Sequence, residues 1–415
     1  MNNKSIAVID LKAFYSYVEC VDRGLDPWST PLVVADKSRS VNTIVLSVTP
    51  YLKKLGIPSR LRVKELPKDI DYIFATPRMS RYIEKSSEVV SIILDFVSEE
   101  DIHVYSIDEA FIDLTTYLTF YKKTPKEMVK LITNTIKEKT GLESTAGIGD
   151  NFFLAKIALD LFAKKEKDGI AIMHQNDVKK KLWPITDLTK IWGIGANTAA
   201  KLNKMSIYSM GDLANSDRDY LVSKFGVMGE QLHYCANGID ESDIREVYIP
   251  KENSLTNGQV LPRDYNKKQI VTVLREMNDD LCLRMRNQHQ LTCVVGLYIG
   301  YSGELGGFAR QMSLLKPTDN TKTLFDALYE IFNKYIVDLP IRRISLSFGK
   351  LIKSNKYEQI GLFEDASVLE EQKNLDLMID TLHNKYGKDI ILRASALLSE
   401  STAIERHNQI GGHRK

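Results

Sequence analysis

Ten residues, Tyr105–Leu114, read YSIDEAFIDL and set two carboxylates, Asp108 and Glu109, side by side inside an apolar run. Burying such a pair is costly, because each charge loses water and the two repel. Ser106 and Ala110 keep the neighbourhood small, while Ile107, Phe111, Ile112 and Leu114 supply strand-forming bulk. The pattern predicts a hairpin. One strand ends near Ser106, a tight turn carries Asp108 and Glu109, and a strand returns through Asp113, whose carboxylate is expected to be structural. At a sheet rim such a turn suits a divalent cation that cancels the repulsion.

A second apolar strand, Ser5-Ile6-Ala7-Val8-Ile9-Asp10, also ends on a carboxylate. If the two strands are neighbours, Asp10, Asp108 and Glu109 meet at one edge. Three carboxylates with no His or Cys beside them favour a hard cation, Mg²⁺ or Mn²⁺. A pair of such ions roughly 3.5–4 Å apart is a common device for in-line phosphoryl transfer. Plainer roles stand beside this one: Asp10 as the N-cap of a helix over Leu11–Cys20, and Asp108–Glu109 as a polar turn.

The elements that must position these groups belong to a long chain. At 415 residues, two to four domains are expected. With 43% apolar and 27% charged residues, the composition is that of a soluble globular protein. No apolar run approaches the roughly 20 residues of a membrane span, and no signal-peptide pattern opens the chain. Cys20, Cys235, Cys282 and Cys293 lack CxxC spacing, which argues against zinc and fits a reducing cytoplasm. Net charge is only +2, but residues 245–353 hold 16 Lys+Arg against 11 Asp+Glu, so positive charge collects late, as a polyanion-binding domain requires.

In chain order, Phe14 and Val18 share a helix face, and Tyr15, one position round, belongs either to the core or to a pocket floor beside the carboxylates. A flat ring there would clash with a ribonucleotide 2′-hydroxyl. Strands are expected at 32–35 and 43–48, then a short helix Thr49–Leu55 carrying Lys53 and Lys54, either a solvated face or a triphosphate contact. Helices follow at Arg78–Phe96, Thr124–Thr140 and Phe152–Lys165, with a strand at Ser144–Gly149. The expected layer is an antiparallel-rich sheet with helices on one face. Residues 166–238 read as helical, and Gly193-Ile194-Gly195 between short helices is the helix-hairpin-helix pattern, whose amides can face a phosphate. Asn237–Asn257 reads as a linker. Beyond it, helices Asn266–Arg286 and Thr323–Ile336 and strands Leu291–Tyr298, Arg310–Leu314 and Ile341–Lys350 describe a small α/β domain. One of its sheet faces is left free near Arg310, Arg342, Arg343 and Lys350. The segment Gln359–Asp365, with Leu362 and Phe363 as apolar anchors, reads either as a peptide for a hydrophobic groove or as a strap on its own domain. Glu370–Tyr386 reads as an amphipathic helix, and Ile410–Lys415 has no periodicity.

Together these pieces resemble a Y-family (translesion) DNA polymerase of the UmuC-like branch of bacteria. The resemblance runs from about residue 5 to 365. It rests on Val8-Ile9-Asp10 with Phe14-Tyr15 and Glu19, on SIDEAF at Ser106–Phe111, on Gly147-Ile148-Gly149 with Leu154-Ala155-Lys156, and on the Gly193–Gly195 hairpin. The resemblance implies an α+β multidomain, right-handed architecture. Its expected parts are an antiparallel palm sheet (1–20 and 76–165), small fingers (21–75), a helical helix-hairpin-helix thumb (166–238), a linker (239–256), an α/β little finger (257–352) and a tail (353–415).

It further implies that Asp10, Asp108 and Glu109, assisted by the Leu11 carbonyl, hold two Mg²⁺ ions, with Mn²⁺ possible, and that Tyr15 over Phe14 is the sugar gate. Lys53 takes the place of a basic triphosphate contact, although Pro50 stands where many relatives have a tyrosine. A second triphosphate lysine falls on Ala163, or on Lys164 with one residue inserted. Gly193, Gly195, Arg310, Arg342 and Arg343 are expected on DNA, and Gln359, Leu362 and Phe363 on the bacterial sliding clamp. Expected partners are primer–template DNA, deoxynucleoside triphosphates, the clamp and accessory SOS subunits, with no membrane. The implied activity is error-prone, template-directed DNA synthesis in the DNA-damage response. Rival readings are a non-catalytic DNA- and clamp-binding adaptor and a metal-dependent nuclease.

Overall fold

A computed structural model describes residues 4–246, 250, 253–354 and 366–415. The chain forms two compact units, Met1–Tyr248 and Ile249–Lys415.

The first unit opens with strand β1 (Ile6–Leu11) and helix α1 (Phe14–Asp22). A small lobe follows, built from β2 (Leu32–Val34), β3 (Ser47–Val48), α2 (Pro50–Lys54) and β4 (Ile73–Ala75). The chain returns through α3 (Met79–Leu94), β5 (Ile102–Val104), β6 (Glu109–Asp113), α4 (Tyr117–Tyr121), α5 (Pro125–Thr140), β7 (Ser144–Gly149), α6 (Phe152–Ile157) and β8 (Ile170–Met173). It ends in the short helices α7 (Ala196–Lys204), α8 (Met210–Ala214), α9 (Arg218–Phe225) and α10 (Val227–Ala236).

The main sheet runs β5-β6-β1-β7-β8, antiparallel except for the parallel β7–β8 pair. Strand β1 is central and buried at every position but Asp10. Ile6 and Val8 share a core with α6 and the helices beyond it, whereas Ile9 and Leu11 line a small space with Val89, Val90 and Ile93 of α3. Helices therefore cover both faces rather than one, which is why β1 reads as a continuous apolar run instead of an alternation. Helix α5 carries its own punctuation: Thr124 and Glu127 form a capping box, Pro125 is at N1, and Gly141 at φ 74° closes the C-terminus.

Two expectations are corrected in this unit. Residues 166–238 are not all helical, because Ile170–Met173 joins the main sheet as an edge strand. Four residues carry too little period to separate a strand from a helix in sequence. Asp10 is not a helix N-cap, since α1 starts after Ala13, which sits in the left-handed region at φ 46°. In the small lobe the strand order is β3-β2-β4, and the parallel β2–β4 pairing was not anticipated.

The second unit contains β9 (Leu255–Tyr265), α11 (Gln269–Asn287), β10 (Gln290–Tyr301), β11 (Gly307–Thr318), α12 (Thr321–Tyr335), β12 (Ile341–Gly349) and β13 (Ile352–Lys353). After them come α13 (Ala366–Tyr386), α14 (Ala403–His407), β14 (Gln409–Ile410) and β15 (His413–Arg414). Its sheet, β11-β10-β12-β9, is antiparallel, and α11 and α12 bury one face of it. The end, Ile410–Lys415, expected to lack regular structure, contributes to a short hairpin of Gln409–Ile410 with His413–Arg414.

The C-terminal stretch is tied to α11 by charge. Arg286 donates to both carboxylate oxygens of Asp380 at 2.6 and 2.8 Å. Asp279 pairs with Arg393, and Asp280 pairs with Lys388 and Arg406. Among the described residues no helix is long and apolar enough to cross a membrane.

Candidate active site

Antiparallel pairing of β1 with β6 sets Asp10 directly opposite Glu109. The Leu11 N–H donates to the Asp108 carbonyl at 2.8 Å, which ties the acidic turn to the end of β1. The hairpin is as expected, with Glu109 the first residue of its returning strand. Burial, then the charges of Asp108 and Glu109, push the Asp10 carboxyl from 3.8 up to about 7. Lys156 and Lys164 act in the opposite sense. Mutual repulsion of this kind is what a divalent cation relieves.

Among the described residues, no three acidic, His or Cys side chains are gathered into a ready-made metal cage. Two of the three carboxylates are instead turned to protein partners. Asp108 accepts from the Ser106 hydroxyl at 2.8 Å. Glu109 accepts from the Lys156 ammonium through Oε2 at 2.9 Å and forms an ion pair with it through Oε1 at 2.8 Å, with the two side chains only 9% and 10% exposed. Lys156 also holds Asp160 at 3.0 Å. Burial works against its charge, but these two acids outweigh burial and raise its pKa above the ordinary lysine value. An all-oxygen donor set with surplus negative charge fits a hard dication. Asp113 plays the structural part expected of it, accepting from the Thr115 N–H at 2.9 Å.

Tyr15 is half-buried beside this edge. Burial, and then the Asp108 charge, raise its hydroxyl pKa. Its ring lies 5.6 Å from Phe14 and 4.7 Å from Tyr82, centroid to centroid. Tyr82 is fully buried and donates to Glu19 at 2.7 Å. Glu19, also fully buried, is held by Arg78 at 2.9 and 3.0 Å and by Arg23. Sequence reasoning missed this support for the Tyr15 ring. It also missed the Lys156–Glu109 pair, although Lys156 stands in a motif quoted above.

Lys53 on α2 and Lys164 both act electrically on the carboxylate edge. Burial, then the Lys164 charge, lower the Lys53 pKa, and Asp10 and Asp108 partly restore it. Ala163 is fully buried, so of the two alternatives Lys164 is the one that presents a charge. In the hairpin of short helices, Gly193 has φ 87°, a left-handed conformation that glycine adopts without cost, and Gly195 is the N-cap of α7. A Cβ on either meets nothing within 4 Å, so there is open space beside both glycines. Trp192, beside Gly193, donates to the Tyr105 hydroxyl at 3.1 Å, which links this hairpin to the acidic one.

In the second unit the three arginines part company. Arg343 is exposed on the uncovered sheet face, opposite Gly300 and Val260. Arg342 lies at an irregularity in β12 and pairs with Asp264 at 3.4 Å. Arg310 is a correction: it stands opposite the buried Leu297 and lies 5.0 Å over the Tyr335 ring of α12, on the helix-covered side. Gln359, Leu362 and Phe363 lie outside the described residues.

Family comparisons agree with this geometry. Residues 9–160 match the impB/mucB/samB family, residues 176–207 its helix-hairpin-helix motif, and residues 252–362 its C-terminal domain. The chain belongs to the impB/mucB/samB family, the UmuC-like branch of the Y-family polymerases. A Bacillus subtilis protein named for UV-damage repair, UvrX, is 37% identical across 99% of this chain and 98% of its own length. A B. subtilis protein named DNA polymerase IV 2 is 32% identical across the whole of both chains. Among solved structures, a Y-family DNA polymerase chimera of Dbh and Dpo4 superposes with a TM-score of 0.67. That likeness, at 21% identity, covers 84% of this chain and all of the other, and it shows the shared fold.

Proposed function

We propose that this protein is a translesion DNA polymerase of DNA repair, extending a primer 3′ end by template-directed addition of deoxynucleotides. The observation that carries this is the register pair Asp10–Glu109 with Asp108 adjoining, at the rim of a palm-like sheet in a chain of this family. Asp10, Asp108 and Glu109, with the Leu11 carbonyl, are the groups to hold two divalent cations, Mg²⁺ or Mn²⁺. Those ions would supply activation of the primer hydroxyl and neutralisation of the triphosphate.

The chain's own residues do the rest. Tyr15, backed by Phe14 and Tyr82, floors the sugar position and excludes a 2′-hydroxyl. Lys53 and Lys164 neutralise phosphate charge from two sides. Gly193 and Gly195 offer amides to a DNA phosphate, and Arg343 lies on the open sheet face suited to a DNA backbone. The lobe over residues 21–75, with strands of two or three residues, leaves little protein to close on a new base pair. That supports an open site, tolerance of damaged templates and low fidelity. Gln359, Leu362 and Phe363 remain the proposed clamp-binding residues.

The test is gel-based primer extension with Mg²⁺ on intact and damaged templates. Extension that Asp108→Ala abolishes supports the reading. DNA binding with no extension by the parent protein points to the adaptor instead.

A further inference from the structure

Glu109 and Lys156 meet from different layers of the first unit. Glu109 begins β6, while Lys156 is on α6, which follows β7. In the sheet, β1 lies between β6 and β7. A Cβ on Gly147 of β7 would overlap the Ala155 carbonyl oxygen, and one on Gly149 would overlap the Ala155 nitrogen. These two glycines let the α6 backbone rest directly on β7. Lys156, the next residue, therefore starts close enough to the sheet to reach past β1 to Glu109.

The ammonium is shared between two acids. It donates to Glu109 Oε2 at 2.9 Å and to Asp160 Oδ1 at 3.0 Å. The Lys156 and Glu109 side chains are almost fully buried, whereas that of Asp160 is 34% exposed. Asp160 lies in the single π turn, Ala158–Phe162, that continues α6, four positions beyond the lysine and so on its side of the helix. Glu109 Oε1 is buried, sits 2.8 Å from the same nitrogen, and takes no hydrogen bond among the described residues. One oxygen of this carboxylate thus keeps its lone pairs free for a second cation.

A dication and an ammonium on one carboxylate repel each other strongly at such short range. Glu109 must therefore exchange one for the other. A buried lysine left with no acid after that exchange would be a costly uncompensated charge. Asp160 removes that cost, because it holds the same ammonium without touching the Asp10–Glu109 edge.

We infer that Lys156 is an exchangeable counter-ion: it occupies the Glu109 carboxylate until a divalent cation takes it, and Asp160 then retains the ammonium. Lys156 and Asp160 are thus positioning residues for metal loading, and no proton is gained or lost in the exchange. The inference rests on the metal-binding part of the polymerase reading and can fail separately from it.

The test is Mn²⁺ binding to the full chain, followed by electron paramagnetic resonance with neither DNA nor nucleotide present. Binding at the edge is the part that Asp108→Ala removes. Lys156→Met takes away the competing cation and should lower the Mn²⁺ Kd roughly tenfold. Asp160→Asn leaves the ammonium to Glu109 alone and should raise the Kd about threefold, the scale of a partly exposed ion pair. In the double variant the Asp160→Asn effect should vanish, because Asp160 acts only through the lysine. A purely structural role for the pair would not shift metal affinity in opposite directions. A parental Kd in either single variant overturns the exchange, as does a threefold rise for Asp160→Asn that persists without Lys156. Asp160 is the more exposed of the two, so its single variant decides the matter if Lys156→Met fails to fold. A parent with no Mn²⁺ binding that Asp108→Ala removes overturns the metal site and the exchange together, whereas a parent that binds while the variants leave its Kd unmoved overturns the exchange alone.

Discussion

Replacing Asp10 with Asn should stabilise the protein while destroying its activity. The Asp10 carboxyl is raised from 3.8 to about 7 by burial and by the charges of Asp108 and Glu109. At 1.36 kcal/mol per pK unit, that rise corresponds to about 4 kcal/mol, and partial solvent screening leaves about 2–4. The sign follows from a folded pKa above the unfolded one: the associated stability is fully present below pH 3.8 and is lost as pH rises through about 7. Asparagine does not ionise and loses nothing across that window. In chelator, Asp10→Asn and the parent should therefore differ little near pH 4. Above pH 7 the variant should melt higher by on the order of 10 °C, as expected of a unit this size. Mg²⁺ should restore much of the gap to the parent and little to the variant. The assay is thermal unfolding at pH 4 to 8.5, with chelator or Mg²⁺. An asparagine variant that is no more stable than the parent at pH 8 in chelator would show that the three carboxylates do not oppose one another, and the metal-site reasoning would fall with it.

Tyr15→Ala should raise ribonucleotide incorporation by an order of magnitude or more, because the ring that meets a 2′-hydroxyl is gone; a dNTP/rNTP ratio of kcat/KM equal to the parent's rejects the gate. Lys156→Met strands the buried Glu109 carboxylate and should lower stability by about 3–5 kcal/mol in urea, with the added change Glu109→Gln recovering part of the loss. No recovery in the double variant would mean that the pair is not coupled. Arg286→Met leaves Asp380 and Asp376 without their cation, so the second unit should lose a comparable amount; a variant with unchanged unfolding would show that the C-terminal stretch is only loosely held.

The carboxylate edge could be read in advance because it rests on strand ends and a tight hairpin, both set by local patterning. β1 and β6 are apolar up to their acidic residues, and strand neighbours in a rim hairpin leave few registers. What stayed hidden depends on distant packing. The pairing of Lys156 with Glu109 joins a helix to a strand 47 positions earlier, and no period encodes it. Glu19 sits in the middle of α1 among apolar residues, and only the fold shows Tyr82, Arg78 and Arg23 closing round it. Strand β8 is four residues long and was absorbed into its helical neighbours. Arg310 sits on a strand whose facing the sequence did not reveal, and its guanidinium lies 5.0 Å over the Tyr335 ring on the helix-covered side.

The ion pairs between α11 and the last fifty residues have a consequence for biosynthesis. Arg286 is nine-tenths buried, yet Asp376 and Asp380 leave the ribosome some ninety residues later, and Arg406, the partner of Asp280, later still. During translation the nascent second unit holds a cation and several anions that cannot yet be neutralised. Its final consolidation must wait for the end of the message, so premature stop codons even beyond residue 354 should yield polypeptides cleared by proteases rather than shortened, working enzymes.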